Sequence, residues 1–353
     1  MSNNQQAFLA LVRAGLWGKE EVQLTSFGQI DFNEVMTLAE AQSVIGLVTS
    51  GIEHVTDLKV SQSILLQFVG RTIQIENRNK AMNGFIADMI DKMRKSDIYT
   101  LLVKGQGIAQ CYERPLWRAS GDVDLLLSDT NYAKAKKYLI ALCSGNKPEE
   151  RYSKHLGMNI DHWYVEIHGT LRTGLSSKID KEVDDVQKDV FYCGNVRSWD
   201  NGGVQVFLPA PDNDVFFVFT HFIKHFYKEG MNLRQVFDWC RLLWTYNDKL
   251  NLSLLEKRLH RAGLVKEWKT FASLAVDYFG MPVEAMPFYD SKYKKNDNQL
   301  IKHILKSETY NAVRDTWAIM KIFPRNTLRF LPSIFMNVNG LKIKERVWSN
   351  GNK

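Results

Sequence analysis

The chain has 353 residues, 45% hydrophobic and 24% charged, which is enough for about two or three domains and a substantial core, and which excludes global disorder. The net charge of +7 favours anionic partners such as nucleotides or nucleic acid, although over this length it is also an ordinary contribution to solubility. Four cysteines, Cys111, Cys143, Cys193 and Cys240, stand far apart with no Cys-x-x-Cys pair, which argues against a zinc knuckle or a disulfide-stapled secreted domain and for reduced thiols.

The opening MSNNQQAFLALVRAGLW has no basic segment and no small-residue cleavage site, so no signal peptide is expected, and the protein is expected to be cytoplasmic. Residues 1–95 are predicted to be helical. QQAFLALVRAGLW carries apolar residues at helical spacing and is followed by Gly18. DFNEVMTLAEAQSVIGLVTSGI begins at Asp31, an N-cap candidate with Glu34 three residues on, as in a capping box. The stretch from Ser61 to Ser96 extends the pattern through one or two more helices.

The texture changes near residue 98. DIYTLLVKG is a short β-rich run, QGIAQCYER is helix-compatible up to Pro115, and DVDLLLS is a strand. DTNYAKAKKYLIALC is an amphipathic helix capped by Asp129 or Thr130, and HWYVEIHGTL is another strand. Residues 98–171 thus alternate strand and helix as a compact unit. Residues 172–208 are expected to be loop-rich, with a turn at Asn201–Gly202–Gly203 and a short strand. Helices resume after Pro211, and Thr327–Phe335 is expected to be a helix broken at Pro332. The densest apolar run, VFFVFTHFI, is far short of the roughly 20 residues that span a bilayer, so no membrane partner is expected. The expected organisation is an N-terminal helical region (1–95), a core (96–208) and a C-terminal helical region (209–353).

The chemistry concentrates at Asp122-Val123-Asp124. On a strand the two aspartates share a face, while Val123, Leu125 and Leu127 enter the core. Like charges this close repel, and a divalent cation relieves the repulsion; Mg²⁺ takes hard carboxylate oxygens together with substrate phosphates. The Asp-x-Asp pattern is common, and alone it is more readily an edge strand with two solvated aspartates. Its context adds Lys104 and Gly105 at a strand-to-helix turn, where backbone and helix N-terminus can approach a phosphate, and Arg118 as a further cation. On the later strand Tyr164, Glu166 and His168 share a face, so that Glu166 becomes a third carboxylate if the strands are neighbours. Three carboxylates beside a glycine turn suit metal-assisted phosphoryl or nucleotidyl transfer.

Lys104-Gly105, Tyr112, Arg118, Asp122-Val123-Asp124, Glu166-Ile167-His168, and His221 with Lys224-His225 follow in the order found in a bacterial family of uncharacterised nucleotidyltransferases, which the chain resembles over residues 30–280. That family belongs to the polymerase-β-like nucleotidyltransferase superfamily. The resemblance implies an α+β fold: a nucleotidyltransferase core with a small mixed sheet and flanking helices, set between N-terminal and C-terminal helical regions. It implies Asp122, Asp124 and Glu166 as catalytic metal ligands for Mg²⁺ or Mn²⁺, with an NTP as substrate. Lys104, Gly105, Arg118, His168, His221, Lys224 and His225 would line the nucleotide cleft. Lys104-Gly105 followed by Gln106-Gly107 departs from the Gly-Ser or Gly-Gly turn common in the superfamily, which bears on how the triphosphate is held.

His221 and His225, four apart on a helix, share a face, but no third zinc ligand accompanies them. Asp238 is expected to pair with Arg234 or Arg241 on its own helix. Cys111 has no partner base for nucleophilic work. The acceptor is expected to be a small molecule or a protein; a nucleic acid is less favoured, since no recognition module appears. The alternative is a catalytically inactive nucleotide-binding or interaction protein on the same fold.

Overall fold

The computed structural model describes residues 1–18, 21–150, 154–306 and 309–335. Helix α1 (Asn3–Trp17) starts in a capping box between Ser2 and Gln5 and stops where Gly18 turns left-handed at φ 66°. The next segment is two helices, not one: α2 (Phe32–Ala41) and α3 (Ile45–Ile52), separated where Ser43 adopts φ 57°. Asp31 caps α2 through the Asn33 N–H, but Glu34 accepts from the Asn4 side chain and does not close a capping box. α1 and α3 touch backbone to backbone, because a Cβ at Gly15 would collide with the Leu47 carbonyl, and one at Gly51 with that of Leu11. Residues 62–95 form one 34-residue helix, α4 (Gln62–Lys95), capped by Ser61 and ending on Lys92, Arg94 and Lys95, which complement its dipole.

The central unit then runs β1 (Leu101–Val103), α5 (Gly105–Ala109), β2 (Val123–Leu126), α6 (Asp129–Ile140), β3 (Gly145–Asn146), β4 (His155–Ile160) and β5 (Trp163–His168). The strands form one five-stranded sheet in the order β1-β2-β5-β4-β3. β2 and β5 are parallel, and the other pairs are antiparallel, so the sheet is mixed. Two strands, β3 and β4, were not expected. The strand propensity of HLGMNI is lowered by Gly157 and Asn159, and its turn into β5 is made by Asp161 at φ 53°. The cap of α6 is Ser128, one residue before the expected position.

The stretch 172–208 departs most from expectation. It contains a 16-residue helix, α7 (Ser177–Tyr192). Buried Ile179, Val183, Val186 and Val190 form a clean helical stripe, but the charged residues between them mask it. β6 (Val196–Asn201) and β7 (Val204–Pro209) form a separate hairpin across the expected Gly202–Gly203 turn. Helices α8 (Pro211–Lys228), α9 (Leu233–Tyr246), α10 (Leu252–Ala262), α11 (Val265–Asp277), α12 (Asp297–Ile304) and α13 (Ala312–Ile322) follow. Residues 324–335 are helical straight through Pro332, whose missing N–H removes one bond of the ladder without ending it. The part of the expected C-terminal helical region beyond residue 335 lies outside the described residues.

Two apolar clusters hold the molecule. One lies under the sheet: Val123, Leu125, Leu127, Leu156, Met158, Val165 and Ile167, with Met82, Ile86 and Met89 of α4. The other joins the first helices to the last, with Phe8, Leu11 and Trp17 in the same cluster as Phe237, Trp239 and Phe271. Trp17 Nε1 donates to the Phe279 carbonyl at 2.6 Å across that junction. Among the described residues, no helix is long and apolar enough to cross a membrane.

Asp297 at the start of α12 is buried, and burial raises its carboxyl from 3.8 to about 7 despite the Ser273 hydroxyl that donates to it. Between those two values the folded chain keeps a proton that the unfolded chain has lost, so stability falls as pH rises through this window. Urea unfolding at pH 5 and pH 8 is expected to show the wild type weaker at the higher pH, and Asp297→Asn is expected to shrink the difference.

Candidate active site

The parallel pairing of β2 with β5 sets Asp124 opposite Glu166 and Leu126 opposite His168. The antiparallel pairing of β5 with β4 sets Glu166 opposite Gly157 and His168 opposite His155. The side chains alternate, so one face of the sheet carries Asp124, Glu166, His168 and His155 while the other is the apolar cluster beneath it. Asp122 sits immediately before β2. Carboxylate oxygens of Asp122, Asp124 and Glu166 lie within 4.8 Å of one another, close enough to share a cation. Asp124 is 2% exposed rather than solvated, which removes the edge-strand interpretation of the pair.

β1 supplies the counter-charge. Val103 is the register partner of Asp124, and the chain then turns through Lys104 at φ 59° and Gly105 at φ 45°. A lysine in this region is strained, and the strained turn carries its side chain back over the carboxylates. Lys104 Nζ lies 2.9 Å from Asp124 Oδ1 and 3.5 Å from His221 Nε2. α5, which follows this turn, is only five residues long.

The charges on this face are coupled. The Asp124 charge beside it, followed by burial, raises Asp122. Burial alone would raise Asp124, but Lys104 and the His168 hydrogen bond at 2.8 Å hold it well below the usual carboxylate range. Burial works in the same direction on Glu166, and His155, 3.0 Å away, turns the net shift downward. The Lys104 ammonium is disfavoured by burial but raised overall by Asp124, Asp122 and Glu166. Burial lowers His168, whereas contact with Glu166 raises His155.

The remaining expected residues divide. His221 and His225 of α8 meet at 3.1 Å between their Nε2 atoms, and His221 joins them to Lys104. Burial, reinforced by Lys104, drives His221 well below the usual histidine range. His225 Nδ1 lies 2.8 Å from Glu229, and Lys224 lies 3.8 Å from the same carboxylate. Arg118 is committed elsewhere: Nε and Nη2 clasp Asp238 of α9 at 2.7 and 2.6 Å, and Tyr112 donates to the same carboxylate at 2.8 Å. Asp238 therefore reaches across to the loop before β2 and not to Arg234 or Arg241 on its own helix. Those two arginines donate to carbonyls of Ala119 and of Cys111 and Leu16. Cys111 is buried, which pushes its thiol up to about 11.

The family model for uncharacterised nucleotidyltransferases matches residues 28–280. The chain belongs to that family. Among solved structures, an antigenic nucleotidyltransferase-like protein from Paracoccidioides brasiliensis is similar at 11% identity and a TM-score of 0.34, covering 61% of this chain and 96% of its own. No curated protein matches.

Within this family member, residues outside the motifs build the site. Buried Asn79 of α4 donates to the carbonyls of Leu116 and Arg118 at 2.8 Å and accepts from Gln106 at 2.9 Å. The loop before Asp122 is thus pinned by α4 on one side and by Asp238 on the other. A lone Asn in a helix gives no sequence signal for this. His155 was also missed, because recognising it requires β4 to be seen as a strand; its alternation with Gly157 and Asn159 was the available signal.

Removing Asp238 leaves the Arg118 charge buried without its partner. Asp238→Ala is expected to lower unfolding stability by about 3–5 kcal/mol in urea titrations, and the paired Arg118→Met/Asp238→Leu variant by clearly less. On the sheet face, His155→Ala is expected to move the Glu166 carboxyl titration upward, read by ¹³C NMR of the labelled side chain.

Proposed function

We propose that this chain moves a nucleoside monophosphate from an NTP to the nucleophilic group of a small-molecule or protein acceptor. The observation that carries this is the convergence of Asp122, Asp124 and Glu166, with oxygens within 4.8 Å of one another, on one sheet face beside a lysine. Their donor chemistry fits a hard divalent cation, Mg²⁺ or Mn²⁺, which when bound would supply Lewis-acid stabilisation of the triphosphate and of the attacking oxygen. Asp124 on β2 and Asp122 just before it hold that position, and Glu166 completes it from the neighbouring strand and takes up the acceptor's proton. Lys104 is held at the rim between Asp124 and His221, from which its ammonium can turn to a phosphate oxygen. His221, with His225 and Lys224 behind it, forms the α8 wall of the cleft. Arg118 is assigned to holding the loop before Asp122 through Asp238, not to the phosphates.

A second reading, a nucleotide-binding protein without turnover, is favoured by one observation: Lys104 already neutralises Asp124 internally. The two readings part in a single experiment. Wild type is mixed with each of the four NTPs and Mg²⁺ or Mn²⁺, and pyrophosphate release and transfer of α-labelled nucleotide are followed. Transfer is expected with wild type, and the Asp122→Asn/Asp124→Asn variant is expected to lose at least ~100-fold of it, as befits several kcal/mol of lost transition-state stabilisation. Nucleotide binding without release supports the second reading, and equal turnover in the double variant removes the aspartates from the chemistry.

A further inference from the structure

The face that carries the carboxylates also carries a second donor set of different chemistry. His155 and His168 are register partners on β4 and β5, and their rings stack with centroids 4.8 Å apart and 13° between planes. Glu166 Oε2 lies 3.0 Å from His155 Nε2 and 3.7 Å from His168 Nε2. One ligand atom from each of the three lies within 4.8 Å of the others. We infer that His155, Glu166 and His168 form a second cation site, selective for a transition-metal ion such as Co²⁺ or Zn²⁺ over Mg²⁺, and sharing Glu166 with the carboxylate cluster.

Four lines support the assignment. The two separations to Glu166 are those expected between ligands that each bond one ion at about 2.0–2.2 Å. Two imidazoles and one carboxylate leave positions open for water or substrate, as three-ligand catalytic zinc sites do. Imidazole nitrogen suits borderline ions, whereas Mg²⁺ demands oxygen, so the neighbouring donor sets sort cations by chemistry. All three residues stand on paired strands, whose hydrogen bonds fix their spacing before any ion arrives. His168 Nε2 now lies 2.8 Å from Asp124 Oδ1; turning to an ion releases that contact, and Asp124 retains Lys104 at 2.9 Å. The inference rests on this donor set alone and holds even for a chain that transfers no nucleotide.

The test uses full-length wild type stripped of metal by a chelator. Co²⁺ is titrated in and its visible d–d absorption followed, and Mg²⁺ with ATP is titrated separately by calorimetry. Co²⁺ is expected to bind near one equivalent with a spectrum of nitrogen ligation. Asp122→Asn is expected to keep that spectrum, and His155→Ala to weaken Co²⁺ binding on the order of 10-fold or more. Metal-free thermal melts establish that each variant is folded. Anomalous diffraction from Co²⁺-soaked wild-type crystals locates the ion whatever the variants do. A peak among His155, Glu166 and His168 supports the site. A peak at Asp122 and Asp124 only, no Co²⁺ binding, or undiminished affinity in folded His155→Ala overturns it. Absence of Mg²⁺–ATP binding in the wild type with Co²⁺ binding intact counts against nucleotidyl transfer and not against this site.

Discussion

The parallel pairing of β2 with β5 is the constraint on which the rest of the structure depends. It places Asp124 beside Glu166 and, one pleat on, Leu126 beside His168. A slip of one residue would turn the carboxylates into the apolar cluster and the valines and leucines outward. Burial of Val123, Leu125, Val165 and Ile167 against α4 therefore specifies the geometry of the polar face above them. The underside of the sheet secures the register, and the upper side uses it.

A face so crowded with like charge needs compensation within the fold. Lys104, His168 and His155 provide it from three different strands or their ends. On the proposed function, each also stands where a ligand would compete for it, and the internal contacts would be a resting arrangement that a cation or a phosphate exchanges. The strained backbone of Lys104 is part of that arrangement.

The helices do more than surround the sheet. The Arg118–Asp238 clasp, both partners buried, fixes the loop that delivers Asp122, and Asn79 holds the same loop from the opposite side. One shared apolar cluster locks α1 and α3 to α9 and α11, so the frame that positions α9, and with it Asp238, is assembled from both ends of the chain.

By itself the sequence determined the local elements with strong period or punctuation: α1 ending at Gly18, the β2 strand with its buried alternation, the turn at Asn201–Gly202–Gly203, and the family order of Lys104, Asp122, Asp124 and Glu166. These signals are local, because a helical stripe, a pleat or a left-handed glycine is written within a few residues. Other features were not legible. α7 was hidden because its charged residues outnumber the stripe that buries it, and β4 because Gly157 and Asn159 lower its strand propensity. Arg118 could be recognised as a cation, but only the tertiary structure decided that Asp238, 120 residues away, would claim it. The same is true of His155, which becomes part of the face only when β4 pairs with β5. Such contacts depend on which distant elements pack together, and that is decided by the burial of both cores at once rather than by any window of the chain.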